Sequence, residues 1–304
     1  MFSSMYKLIN QSIMSRKILI YSLLTTLIYG VNGQQTEQKN TINCPFEIGV
    51  PKPVTKPENN FNRSRISPDG SKLIVTKQAY QGIYVIDLKN NNSVTKVTEE
   101  PRVGFEARWK EQGKAISFKS SNYGENKTKV SYDIQQKSII QDKPNNLKAS
   151  SINNSDIEVK YNLKRRKVEA SNGNKTWDIT PNQGLYYDLI ISPDYKKVLV
   201  HENDGNMYIF ALDGSGLINN LGHGLARSWT PNGDYIIYFV SEDNGQSTTA
   251  SDIYICSIID QNKWKLTDTK NSIEMWPHLS KDGKVLTYYD LSTKRIYVTN
   301  FTRK

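Results

Sequence analysis

Eight side chains able to hold an anion or a peptide stand at matching places in this sequence. They are Arg63 and Arg65, Glu106 and Arg108, Asp188, Arg227, and Trp276 with His278. Each stands a few residues upstream of one recurring turn. Brought together, they would suit an acidic peptide terminus or an anionic sugar. The plainer reading is mutual salt bridging around a water-filled channel.

Other chemistry finds little support. His201, His223 and His278 show no close ligand spacing, so no metal and no cofactor are expected. Gly214-Ser215-Gly216 and Gly222-His223-Gly224 are loop glycines. A nucleophile elbow needs Gly-x-Ser-x-Gly on a strand-to-helix turn, so no catalytic residue is assigned. His201 reads as a strand-end residue and His223 as a loop residue. Cys44 and Cys256 lie far apart in the chain. They are either free thiols or, in an oxidising compartment, a bridge.

The formal charge is +10, and residues 1–33 carry three of the cations, Lys7, Arg16 and Lys17, with no acid. That leaves +7 on the rest. Much of it sits in Lys164-Arg165-Arg166-Lys167. Such a run can bind nucleic acid or anionic surfaces. Export argues against nucleic acid, and the run reads as a solvated outer strand. Six Asn-x-Ser/Thr triplets beyond residue 33, at Asn62, Asn91, Asn126, Asn153, Asn174 and Asn300, are what chance gives in so Asn-rich a chain.

The elements that must position the eight side chains are organised by a turn, Ile66-Ser67-Pro68-Asp69-Gly70. Pro fixes φ at the first corner, Asp suits the next, and Gly accepts positive φ. Copies stand at Ile191–Tyr195, Trp229–Gly233 and Leu279–Gly283, with weaker ones at Trp109–Gly113 and Ile152–Asp156. Their last residues are 70, 113, 156, 195, 233 and 283, in steps of 43, 43, 39, 38 and 50. A period near 40 with strand-rich repeats marks propeller blades. The fold expected is all-β, a six-bladed β-propeller over residues 61–304. Blade one should run through strands near 62–66, 71–77, 82–88 and 93–98. Its third strand, Gly82–Leu88, is echoed by Asn206–Leu212, Asp252–Ile258 and Arg295–Thr299. These near-continuous apolar runs suit sheets covered on both faces. Blade two should have its first strand near 105–109. Blade three, near 148–180, is the most eroded. Blade five should carry an insertion from Ser241 to Ser251. A left-handed Tyr195 would cost about 1–2 kcal/mol, so that turn is expected to be of another type.

Residues 1–33 read as a secretory signal. Arg16 and Lys17 precede an apolar run from Ile18 to Tyr29, and Val31-Asn32-Gly33 ends in a small residue. Met14-Ser15-Arg16-Lys17 makes a complete n-region by itself. No Cys follows within lipobox distance, so no lipid anchor is expected, nor any membrane span in the mature chain. The protein is expected in the periplasm or secreted. Residues 34–60 form a polar linker with one strand-like island, Phe46-Glu47-Ile48-Gly49-Val50. The sixth blade lacks a fourth strand of its own, and an open edge would invite aggregation. The island is expected to supply that strand and close the ring.

The repeats resemble the TolB-like, WD40-like PD40 family. The resemblance covers about 61–301. It is best at Asp252-Ile253-Tyr254, Trp264-Lys265-Leu266-Thr267 and Trp276-Pro277-His278-Leu279-Ser280-Lys281-Asp282-Gly283-Lys284. It implies the fold firmly and the function poorly. Members include TolB, the propellers of prolyl oligopeptidases, and oligogalacturonate lyases. By the propeller convention, each first strand begins at one mouth of the central channel, which places the eight side chains there. Two functions follow. One is a non-catalytic module holding a protein or peptide. The alternative is a small glycan-active enzyme resembling oligogalacturonate lyases, with His278 near the family's histidine position and Arg65, Arg108 and Arg227 beside an anionic glycan.

Overall fold

The repeated turns are tied by their hydroxyls. Ser67 Oγ donates to Asp69 Oδ1 at 2.6 Å and accepts from Lys72 N–H at 2.9 Å, while Gly70 N–H donates to the Ser67 carbonyl at 3.0 Å. Ser192 and Ser280 make the same set with Asp194 and Asp282. Thr230 and Asn232 repeat it in isosteric form. A short side chain bonding back to its own turn is a known turn-maker.

These turns join strands into six sheets. The computed structural model describes residues 43–122, 128–141 and 157–304. Blade one is Phe61–Ile66, Lys72–Lys77, Ile83–Asp87 and Ser93–Thr98, in antiparallel order. Blade two is Arg108–Lys110, Ala115–Ser120, Thr128–Asp133 and Ser138–Gln141. Blade three shows Glu158–Asn162, Lys167–Ser171 and Thr176–Asp178, and its expected innermost strand and turn lie outside the described residues. Blade four is Tyr186–Ile191, Lys197–Glu202, Asn206–Ala211 and Leu217–His223. Blade five is Leu225–Trp229, Tyr235–Asp243, Thr248–Ser257 and Lys263–Lys265. Blade six is Glu274–Leu279, Val285–Asp290 and Arg295–Arg303.

Each strand alternates between two neighbours. In blade one, Ile74 packs toward blade two with Ile116 and Phe118, while Leu73 and Val75 pack toward blade six with Tyr289 and Ile296. Similar apolar clusters join blades three to four, four to five and five to six. The blades also interlock at the turn end. Gly113, Gly233 and Gly283 face Pro68, Pro193 and Pro231 of the blade before, and a Cβ on Gly283 would stand 2.7 Å from Pro231 Cγ. Trp109 Nε1 donates to the Arg65 carbonyl, and Trp229 Nε1 to the Ile190 carbonyl.

The ring closes as expected, and over a longer stretch. Phe46–Ile48 pairs with Phe301–Arg303, and Lys52–Pro53 with Tyr297–Val298. Thr55 Oγ1 accepts from Ile296 N–H at 2.8 Å, so the contact runs past the 46–50 island. Phe46 stacks on Phe301 and meets the edge of Tyr235 in blade five, both at 4.9 Å. The strap therefore clamps two blades.

Several expectations need correction. Tyr195 is left-handed after all, with φ 55°, and its N–H donates to the Ser192 carbonyl at 3.0 Å as in the glycine copies. The Ser192–Asp194 bond and the pairing of the flanking strands outweigh the steric cost. The insertion expected at 241–251 is there, and the second and third strands of blade five extend through it as one long hairpin. The first strand of blade two is short because Val103–Glu106 coils into a 3-10 turn. The basic run is no outer strand but mostly the turn between two inner strands of blade three. Arg165 there reaches Glu169 and Asp178 at 2.6 and 2.7 Å, and Lys167 reaches Asp178 at 2.8 Å. Cys44 and Cys256 are free thiols. Residues 1–33 lie outside the described residues.

Two stability outcomes follow from this framework. Phe46→Ala should cost about 3–4 kcal/mol, by analogy with other buried aromatic truncations, measured by urea denaturation. Tyr195→Gly should gain about 1 kcal/mol by removing the left-handed Cβ. An unchanged or lower midpoint for the glycine variant would show that the turn is unstrained.

Candidate functional site

Inner strands reach the channel mouth through bulges. Register shifts fall between Phe61 and Arg63, Tyr187 and Ile190, Ala226 and Ser228, and Met275 and His278. The same device in four blades turns Asp188, Arg227 and Trp276 out of the ladder. Bulges commonly re-aim side chains beside functional sites. Asp188 and Trp276 are held at φ 48° and 58°, which neither residue adopts without strain.

The structure brings the expected residues together. Arg63 lies 3.6 Å and Arg227 4.5 Å from the centroid of the Trp276 ring. Phe239 meets that indole edge-on at 4.9 Å and fixes it. Arg227 pairs with Asp188 at 2.8 Å. Arg65 donates to the Gly104 and Phe105 carbonyls at 3.0 and 3.1 Å, and Arg108 to the Phe105 and Ala107 carbonyls at 3.2 and 3.0 Å. His278 lies within the field of Arg65, Arg108 and Arg227. Glu106 ends the 3-10 turn Val103–Glu106, and its side chain lies outside the described residues.

The mouth is over-charged. Arg63 and Arg65 have no salt-bridge partner among the described residues. Burial and then Arg108 drive the Arg65 guanidinium down to about 9, with Arg227 and Arg63 adding to the effect. Burial and Arg227 lower Arg63 too. The like charges thus stand close enough to be felt. Mutual salt bridging therefore explains the Asp188–Arg227 pair and leaves Arg63 and Arg65 uncompensated. Burial, then Arg65, Arg108 and Arg227, hold the His278 imidazole neutral down to about 3.

Sequence reasoning missed an aromatic rim. Tyr80 stands 4.9 Å from the Arg63 guanidinium and meets Phe105 edge-on at 5.1 Å. Phe105 is 54% exposed. Tyr80 comes from a connection that carries no strand pattern, and Phe105 from a segment expected as strand that coils instead into a 3-10 turn. His201 was missed more seriously. It is no strand-end bystander but fully buried. Its Nδ1 meets the Asp188 carbonyl at 3.1 Å, its Nε2 accepts from Ala226 N–H at 2.9 Å, and its ring stacks on Tyr187 at 5.4 Å. These bonds fix the neutral tautomer with the proton on Nδ1. They also tie the backbone of Asp188 to the residue before Arg227, so His201 positions that ion pair. His223 ends an outer strand of blade four and is exposed.

Other sites offer less. Among the described residues no group of three His, Cys, Asp or Glu is placed to hold a metal, and no helix is long and apolar enough to cross a membrane. A polar cavity of about 450 Å³ beside the blade-five hairpin contains Lys265. Its ammonium is neutralised by Asp252 and Asp268 at 3.0 and 2.6 Å.

The pH dependence of His201 can be worked out. Burial holds its folded pKa down to about 4 against an ordinary 6.5. The neutral form is thus favoured by folding, so stability is full above pH 6.5 and falls as the pH drops toward 4. The melting temperature should decline over that window by the equivalent of about 3 kcal/mol. In His201→Gln the decline should flatten. A slope of the same size in the variant would assign the loss to other groups.

No protein-family model and no curated protein matches the chain. Solved structures do. The Swd1 β-propeller domain of Myceliophteria thermophila superposes with a TM-score of 0.47 at 8% identity, over 82% of this chain and 99% of that one. An oligogalacturonate lyase from Vibrio parahaemolyticus superposes with a TM-score of 0.56 at 10% identity, over 84% of this chain and 96% of that one. At such identities the likeness speaks to the fold alone, and the fold is a six-bladed β-propeller.

Proposed function

We infer that this chain is an exported, non-catalytic propeller of the TolB-like type that holds an acidic segment of a protein partner over its channel mouth. The observation that carries this reading is the pair of uncompensated guanidiniums, Arg63 and Arg65, set among the aromatic faces of Trp276, Tyr80 and Phe105. Arginines beside aromatics on one rigid rim are the composition of recognition hot spots. The Ser-x-Asp-Gly turns with their internal hydroxyl bond support the TolB-like type. Export rests on the basic, apolar and small-residue order of residues 1–33.

A hexaglutamate peptide, followed by tryptophan fluorescence, should bind saturably and more weakly as salt rises. Arg63→Gln and Trp276→Ala should each weaken it at least tenfold. Equal binding by both variants would sink the reading. The exported protein should begin at Gln34 by intact mass. Recovery of the chain from culture fluid or envelope with residues 1–33 attached would refute cleavage.

A second reading rests on His278. A neutral imidazole beside arginines is what proton abstraction next to a substrate carboxylate requires. Under it the chain is a small glycan-active lyase. Polygalacturonate would then yield unsaturated products with the native chain and none with His278→Ala, and activity intact in that variant would end the idea.

A further inference from the structure

Two residues along from the Trp276 stack, the inner strands bring a second tier of side chains together. Arg65 comes from blade one, Arg227 from blade five and His278 from blade six, with Arg108 of blade two at the edge. The three guanidiniums act on one imidazole. Two nitrogens in this tier are buried and have no partner, Arg227 Nε and His278 Nδ1. Of the six such atoms among the described residues, two more, Asn62 Oδ1 and Thr76 Oγ1, belong to blade-one strands beside Arg63. The remaining two, Glu274 Oε2 and Arg295 Nε, lie on strands of blade six.

Buried polar atoms normally find partners. Ordered water would satisfy the orphans but would leave the guanidiniums repelling one another. An anion answers both at once. A neutral His278 with its proton on Nδ1 is a donor, Arg227 Nε is a donor, and Arg65 presents a planar fork. The set offers N–H groups and positive potential, the complement of an oxyanion. A cation is excluded by charge.

We propose that the channel holds one small oxyanion group, a phosphate, sulfate or carboxylate, between Arg65, Arg227 and His278. This tier shares Arg65 with the acidic-partner reading, but His278 belongs to it alone and Arg63 and Trp276 to that reading alone, so variants at those three positions separate the two.

A free ion and the terminal carboxylate of a peptide share this chemistry, and two arms separate them. One is inorganic phosphate, titrated calorimetrically into the full chain at fixed ionic strength. The other is pentaalanine, acetylated at its N terminus, as the free acid and as the C-terminal amide. Saturable binding of phosphate, or of the acid but not the amide, is expected. Arg65→Met and His278→Phe should weaken it at least tenfold, and Arg63→Gln less than twofold. Phosphate or the acid should also raise the pH at which the His278 ring protonates, read from its imidazole resonances. That change would not occur for a histidine with only a packing role. If Arg65→Met fails to fold, His278→Gln and the resonance measurement decide the matter. Saturation by neither probe overturns the proposal. So does binding that is unchanged in the folded variants.

Discussion

A ring of sheets is held by the completion of its last sheet. Blade six has three strands from its own repeat, and its outer edge would otherwise stand open. The strap from Phe46 to Thr55 fills that edge and ties residues some 250 positions apart. Closing so long a loop costs only a few kcal/mol, because the entropy grows with the logarithm of length. The aromatic contacts of Phe46 with Phe301 and Tyr235 are of comparable size. With the ring closed, blades one, four, five and six cannot rotate outward without each breaking two apolar interfaces. The inner strands can then carry strain that an open sheet would relax.

Part of that strain lies where the charges are. Left-handed backbone at Asp188 and Trp276, and four arginines around one opening, are both costly. The Asp188 carboxylate offsets part of the second at Arg227. His201 shows how the fold tolerates the first. Its ring is bonded at both nitrogens, to the bulged carbonyl of Asp188 and to the amide that precedes Arg227. Trp276 shows how it tolerates the second. Stacking two guanidiniums on a fixed indole keeps them apart from water and from each other while leaving their N–H groups available.

The sequence was most legible where one residue type answers one backbone need. Gly70, Gly233 and Gly283 mark left-handed corners, and their spacing alone is enough to count the blades. The neighbourhood of Arg63, Arg227, Asp188 and Trp276 followed from counting back from those corners. Tyr195 was misread because the preference of one residue was weighed without the bonds of Ser192 around it. The extra length of blade five between its second and third strands was legible as an insertion, and the structure uses it to lengthen the hairpin Tyr235–Asp243 and Thr248–Ser257. Tyr80, Phe105 and His201 were invisible for a different reason. Their partners lie in other blades or other connections, and no local pattern encodes a contact of that kind.

The two ends of each inner strand divide the labour. At one end the turns lock blade to blade through Pro–Gly contacts and serine bonds, with little freedom left. At the other end stand the arginines and the strained bulges. The distance between them is short and regular. Arg63, Asp188 and Trp276 each precede their turn's serine by four residues, and Arg65 and His278 by two. A turn fixed in register therefore fixes the level of each side chain in the channel. Side chains from different blades meet at a common height because their turns are the same, not because they were selected pairwise. Recognition chemistry can thus change at single positions near the mouth while the turn end keeps the ring unaltered.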